Sequence, residues 1–144
     1  MMKKAADRKW VLWILLAVWV LAVRCLSGCS QDKTPAEKVR DLEFTVVGDQ
    51  QMPPDLSSAI GQKQTEPFKL TYADDQNLYI AVGYGQQETG GYSIRVNQLY
   101  LTENSIVIDT ELLGPEKGEE TGTEKSCPYL VVKTEYLENP VVFQ

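Results

Sequence analysis

Three cysteines, two groups of carboxylates and no histidine set the chemistry open to this chain of 144 residues. Without an imidazole, the Ser-His-Asp and Cys-His arrangements and every His-ligated metal site are out of reach. Cys127 carries a thiol but has no such base to activate it, so it reads as an ordinary residue leading into a strand. Asp74 and Asp75 are paired carboxylates of the kind that acid–base catalysis uses. Consecutive in a polar stretch, they read instead as solvated turn residues. Glu116, Glu119, Glu120 and Glu124 could gather a calcium ion by charge alone, but the Asp-x-Asp-x-Asp-Gly spacing of a calcium loop is missing. No catalytic residue, metal ligand or cofactor is expected.

Cys29 is the cysteine whose surroundings do specify a reaction. Residues 1–10 are basic, and 11–23 (VLWILLAVWVLAV) are thirteen uncharged apolar residues. A spanning helix needs about 17–25 such residues, whereas about 10–14 suits the apolar core of a secretory signal. Leu26-Ser27-Gly28-Cys29 follows and is similar to the lipobox of bacterial lipoproteins. Small residues let an extended backbone thread the signal peptidase, and the thiol takes a diacylglyceryl group before cleavage. The expectation is a signal peptide over 1–28, removed to leave Cys29 as a lipidated N-terminus. Two or more acyl chains, palmitate among them, give stable attachment. The protein is then held on the extracytoplasmic face of a bacterial membrane. Trp10, Trp13, Trp19 and Cys25 leave with the signal, so Cys127 remains the single thiol and no internal disulfide can form.

The elements that follow must fold by packing alone. Residues 29–144 hold nine bases and nineteen acids, a balance of −10, which repels phosphate backbones and argues against nucleic-acid binding. Residues 30–40 (SQDKTPAEKVR) are polar, contain Pro35 and show no apolar period. With Cys29 they read as a lipidated, flexible tether over 29–40, ahead of a domain at 41–144. A β-rich alternation over 42–47 predicts a first strand. Pro53-Pro54-Asp55 predicts a short helix whose Leu56, Ala59, Ile60 and Lys63 share a face, ended by Pro67.

Strands make up the remainder. Residues 68–72 and 78–82 flank the polar turn 73–77, a hairpin. Residues 92–101 and 105–112 flank Thr102-Glu103-Asn104, a second hairpin. Ile94 and Val96 stand in one phase and Leu99 and Leu101 in the other, so a bulge near Asn97-Gln98 is predicted. Residues 114–126 (GPEKGEETGTEKS) read as a solvated charged loop, 128–133 as a strand and 140–143 as a short edge segment. The fold class expected is mainly β (α+β): a small antiparallel β domain, a sandwich, with one short N-terminal helix behind a lipoprotein signal peptide.

One segment goes beyond architecture. Gly83-Tyr84-Gly85-Gln86-Gln87-Glu88-Thr89-Gly90-Gly91-Tyr92-Ser93 joins the two hairpins. A strand ending in Gly-x-Gly, a Thr-Gly-Gly-Tyr-Ser turn, a strand pair, a charged loop, Pro-Tyr-Leu-Val-Val-Lys and a terminal Pro-Val-Val-Phe follow one another. This order resembles the PrcB C-terminal domain, a family named for a lipoprotein-associated subunit of a bacterial surface protease complex. The resemblance runs over about 68–144, with Glu88 where a proline is expected before the threonine. It implies a non-catalytic companion of other envelope proteins, stabilising a protease. Two alternatives stay open. One is a structural envelope module with no protease partner. The other is an inhibitor: Thr89-Gly90-Gly91-Tyr92 is loosely similar to one loop of chagasin-type cysteine-protease inhibitors, whose other two loops have no counterpart here.

Read from the residues alone, the glycines let the backbone take positive φ or approach a neighbour closely. Tyrosines offer a large contact area with a polar handle, and loops on rigid strands often carry recognition. Tyr84, Glu88, Thr89, Gly90, Gly91 and Tyr92 are the candidate partner contacts. The partners expected are the membrane, through the lipid, and an envelope protease or another surface protein.

Overall fold

The computed structural model of the protein describes residues 37–144. The basic and apolar leader, Cys29 with its preceding motif and residues 30–36 of the expected tether lie outside the described residues.

Charged residues open the described chain, and they form a strand. β1 (Lys38–Asp41) pairs antiparallel with β5 (Ser93–Thr102) and is exposed along its whole length. This corrects the expected 29–40 tether at residues 38–40 and moves the start of the domain ahead of residue 41. β1 is held by backbone pairing, by the Arg40–Glu135 ion pair and by the Lys38 ammonium over the Tyr100 ring, while Lys38 and Asp41 pair within the strand. None of these writes an apolar period into the sequence.

The strand expected over 42–47 shortens to β2 (Phe44–Val46) because the chain changes sheets there. The Leu42 N–H donates to the Leu99 carbonyl in one sheet, and the Val47 N–H donates to the Val131 carbonyl in the other, each at 3.0 Å. A 3-10 turn (Asp49–Gln51) leads to α1 (Pro54–Lys63), which begins at a proline as expected and buries Leu56 and Ile60. Asp55 in its first turn and Lys63 in its last complement the helix dipole.

β3 (Pro67–Ala73) and β4 (Asn77–Tyr84) form the first hairpin, with Leu70 opposite Ala81. Its turn is fastened by Asp74, whose Oδ1 accepts the N–H groups of Gln76 (2.9 Å) and Asn77 (2.7 Å). Those bonds hold the Asp74 carboxyl below the usual range, which is the posture of a turn cap rather than of a general acid. β5 and β6 (Ile106–Leu113) form the second hairpin, and its register slips between Val96 and Gln98 as the phase conflict predicts. β7 (Tyr129–Glu135) and β8 (Val141–Phe143) complete the count.

Over the described residues the fold is mainly β: two four-stranded sheets, ordered β1-β5-β6-β8 and β2-β7-β4-β3, and one short helix. All strand pairs are antiparallel except β6 with β8. Leu78, Ile80 and Val132 of one sheet pack with Leu99, Ile106 and Ile108 of the other, so the sheets are stacked face to face. On the outer face of the second sheet, Tyr79, Ala81 and Val131 pack with Phe68, Met52, Leu56 and Ile60 beneath α1. β4 is therefore covered on both faces, and its run from Leu78 to Gly83 is buried throughout. No helix among the described residues is long and apolar enough to cross a membrane.

One glycine is fixed by this packing. A Cβ on Gly83 would stand 2.2 Å from Cε1 of Phe68, because the Phe68 ring lies against the bare backbone of its cross-strand partner. Close approach, rather than positive φ, makes glycine necessary there.

Strand directions set the two ends of the sandwich. Lys38 and the 103–105 turn lie at one end of the first sheet, and Pro140 joins them through its carbonyl, which accepts the Ile106 N–H. The 74–76 turn lies at the same end of the second sheet, where Gln76 accepts from Tyr136. The 83–93 segment and the 114–126 loop lie at the opposite end.

Candidate functional site

Tyr84 closes β4 with its side chain across the gap between the sheets. Its hydroxyl donates to the Thr110 carbonyl at 2.8 Å, and the Thr110 hydroxyl lies at 2.9 Å. Tyr84, a candidate contact by sequence, is thus an inter-sheet tie as well. The chain then turns at Gly85, and Gln86 and Gln87 are anchored in opposite directions. The Gln86 N–H reaches the Thr65 carbonyl at the end of α1 (3.1 Å), while Gln87 exchanges backbone bonds with Ser126 at 2.7 and 3.1 Å. The Gln87 amide side chain donates back to the Tyr84 carbonyl at 3.1 Å.

Charge and small residues do the rest. The loop over 114–126 stays mostly exposed, as its composition predicts, but it also buttresses the candidate segment. Ser126 Oγ donates to the Thr89 carbonyl at 2.6 Å, and Lys125 stands 3.7 Å from Glu88. Gly90 and Gly91 lie against Thr121, and Gly91 takes φ 81° where a Cβ would meet the Thr121 methyl at 2.9 Å. The two loops therefore interlock, and the proline expected before Thr89 is not needed to fix their shape. Thr121 and Ser126 were invisible to sequence reading, since small polar residues in a charged stretch carry no periodic signal.

The candidate residues divide into two groups. Tyr84 and Tyr92 are half-buried, with Tyr92 beside Gly114 at the end of the second hairpin. Thr89 turns its hydroxyl to the Gly90 carbonyl (3.2 Å). Glu88 points outward, with 85% of its side chain exposed. Beneath Tyr84, a cleft of about 390 Å³ opens at the seam between β3 and β8, lined by Pro67, Phe68, Lys69, Thr110 and Gln144. The Lys69 ammonium lies 5.3 Å from the centre of the Phe143 ring across that seam.

Near the same end, the Tyr129 hydroxyl donates to Asp49 Oδ1 at 2.5 Å. That bond, with partial burial and the adjacent carboxylate, pushes the Tyr129 hydroxyl up to about 12. Asp49 follows β2 and Tyr129 opens β7, so the contact pins the 3-10 turn to the second sheet.

Residues 78–135 match the PrcB C-terminal family, inside the stretch over which the sequence resemblance runs. The match spans β4 to β7 and includes both interlocked loops. No curated protein and no solved structure matches the chain.

Proposed function

We propose that this chain, which carries the PrcB C-terminal match over 78–135, is a lipid-anchored extracytoplasmic lipoprotein whose β domain is a non-catalytic accessory module of an envelope protease complex. The interlocked loops are its partner-facing surface, with Glu88 as the outermost polar contact and Tyr92 and Thr89–Gly91 as the shaped ground around it. The observation that carries this reading is the family match itself, which includes both loops and the strands that hold them. Their position supports it too. The loops crown the end of the sandwich opposite Lys38, where the described chain begins. A chain lipidated at Cys29, a few residues before Glu37, would hold that loop end away from the membrane surface.

Two measurements test the proposal. Intact mass of the membrane fraction should show 116 residues plus lipid, and Cys29→Ser should abolish the lipid. A soluble product or a full 144-residue chain refutes the anchor. Recovery of a protease with the wild-type chain from detergent-solubilised membranes, reduced by Glu88→Lys at unchanged melting temperature, supports the accessory role. Equal recovery with Glu88→Lys removes the loop from it, and recovery of no protease leaves a structural module.

A further inference from the structure

We propose that the free edge of β2 is a strand-addition site, taking an extended segment of a partner protein that is apolar at alternate positions and basic at its flanks. This surface lies apart from the interlocked loops, on the open side of the second sheet.

Backbone alternation makes the edge available. The Val47 N–H donates to Val131, and the Glu43 carbonyl accepts from the Thr134 hydroxyl at 2.8 Å, so odd-numbered residues face β7. Phe44 and Val46 stand one position off and turn their N–H and C=O groups away from the sheet. Among the described residues β2 pairs with β7 alone. The side chains flanking those groups are exposed too, Phe44 by 38% and Val46 by 53%. A groove of about 800 Å³ begins at Leu42–Thr45 and extends over Lys133–Glu135 of β7 to Gln76 and Asn77, on the paired side of the strand.

The other edges carry the devices that block such pairing. β1 bears Lys38, Arg40 and Asp41. β3 begins with Pro67, which has no N–H, and Lys69 reaches from it over Phe143 of β8. Pro140 precedes β8. β2, Phe-Thr-Val, has neither a charge nor a proline.

Charge chooses the occupant. Glu43 stands before β2 and Asp49 after it, and neither has an ion-pair partner among the described residues. Beside the strand Arg40 neutralises Glu135, and Lys133 opposite Thr45 adds one positive charge, so the uncompensated negative charge lies at the two ends of β2. A second copy paired antiparallel about Val46 would set Glu43 of one molecule toward Asp49 of the other. It would also join two domains that each hold eight bases against eighteen acids over 37–144. A basic-flanked strand meets the same ends with opposite charge.

The full chain in detergent micelles, with the capped peptide Lys-Lys-Val-Thr-Val-Lys-Lys as probe, tests the proposal by amide hydrogen exchange read by NMR. Saturating peptide should slow exchange at Phe44 and Val46 by about tenfold or more. Val46→Pro, which removes an outward N–H and no ladder bond to β7, should abolish the protection at Phe44. Methylating the two valine nitrogens of the peptide should do the same and leaves the protein untouched. Unchanged exchange at millimolar peptide overturns the proposal, as does equal protection by the methylated peptide or by one with glutamate in place of lysine. Protection of both amides before peptide is added also overturns it. A dependence on protein concentration would then identify a second copy as the occupant, and its absence would identify residues 1–36.

Discussion

Gly83→Ala is the sharpest test of how the second sheet is packed. The added methyl would meet Phe68 Cε1, Cδ1 and Cζ at 2.2, 2.6 and 2.7 Å, whereas ordinary contact begins at 3.4 Å. The ring must therefore retreat by about 1 Å, and it is buried among Met52, Leu56 and Ile60 under α1. Overpacking of this kind costs about 1–3 kcal/mol. Replacing glycine restricts the unfolded chain and returns about 0.4–1 kcal/mol. A net loss of about 1–2 kcal/mol is expected, or a fall of roughly 5–15 °C in melting temperature for a domain of this size. Phe68→Leu removes the ring, so Gly83→Ala made on that background should cost less than about 0.5 kcal/mol. Urea unfolding of the four chains of this cycle, followed by far-UV circular dichroism, measures the coupling. A neutral or stabilising Gly83→Ala, or an equal cost with and without the ring, would refute the argument that close approach fixes this glycine.

Ile108→Ala, at a side chain 1% exposed between the sheets, should cost about 2–5 kcal/mol in the same assay, and a cost below about 0.5 would put that strand face the wrong way round. Tyr84→Phe should cost about 0.5–1.5 kcal/mol by leaving the Thr110 carbonyl without its donor, and an unchanged melting temperature would remove the inter-sheet tie. Because the Tyr129 hydroxyl is raised to about 12, the unfolded chain loses its proton first. Stability should then be unaffected by this group below pH 10 and fall between about 10 and 12, a dependence that Tyr129→Phe should abolish in alkaline thermal melts.

Where a signal is periodic and local, the sequence could be read. The bulge at Val96–Gln98 followed from a conflict of phase within ten residues, and α1 from prolines and the spacing of Leu56 and Ile60. The candidate loop was recognisable as a motif, and the family match falls on it. β1 was not legible, because charge pairs and backbone bonds to a strand more than fifty residues away hold it in place. The same limit hid the buttress of the loop: Ser126 meets Thr89 across 37 positions, and nothing in either segment announces the other. The change of sheets at Leu42 broke a strand that alternation alone had drawn as continuous, since Leu42 and Val47 are buried in different clusters.

That change of sheets also decides how the domain answers to tension. Hydrogen bonds between antiparallel strands run across the strand axis. A pull on Lys38 along that axis, against a grip on the loop end, strains the bonds of β1 to β5 together in shear instead of parting them one by one. Because Leu42 carries the same backbone straight into β2, the tension passes through a buried side chain to β7 in the other sheet. Extension from the N-terminal side must therefore shear two sheets and extract Leu42 from between them, while a sideways tug would peel β1 alone.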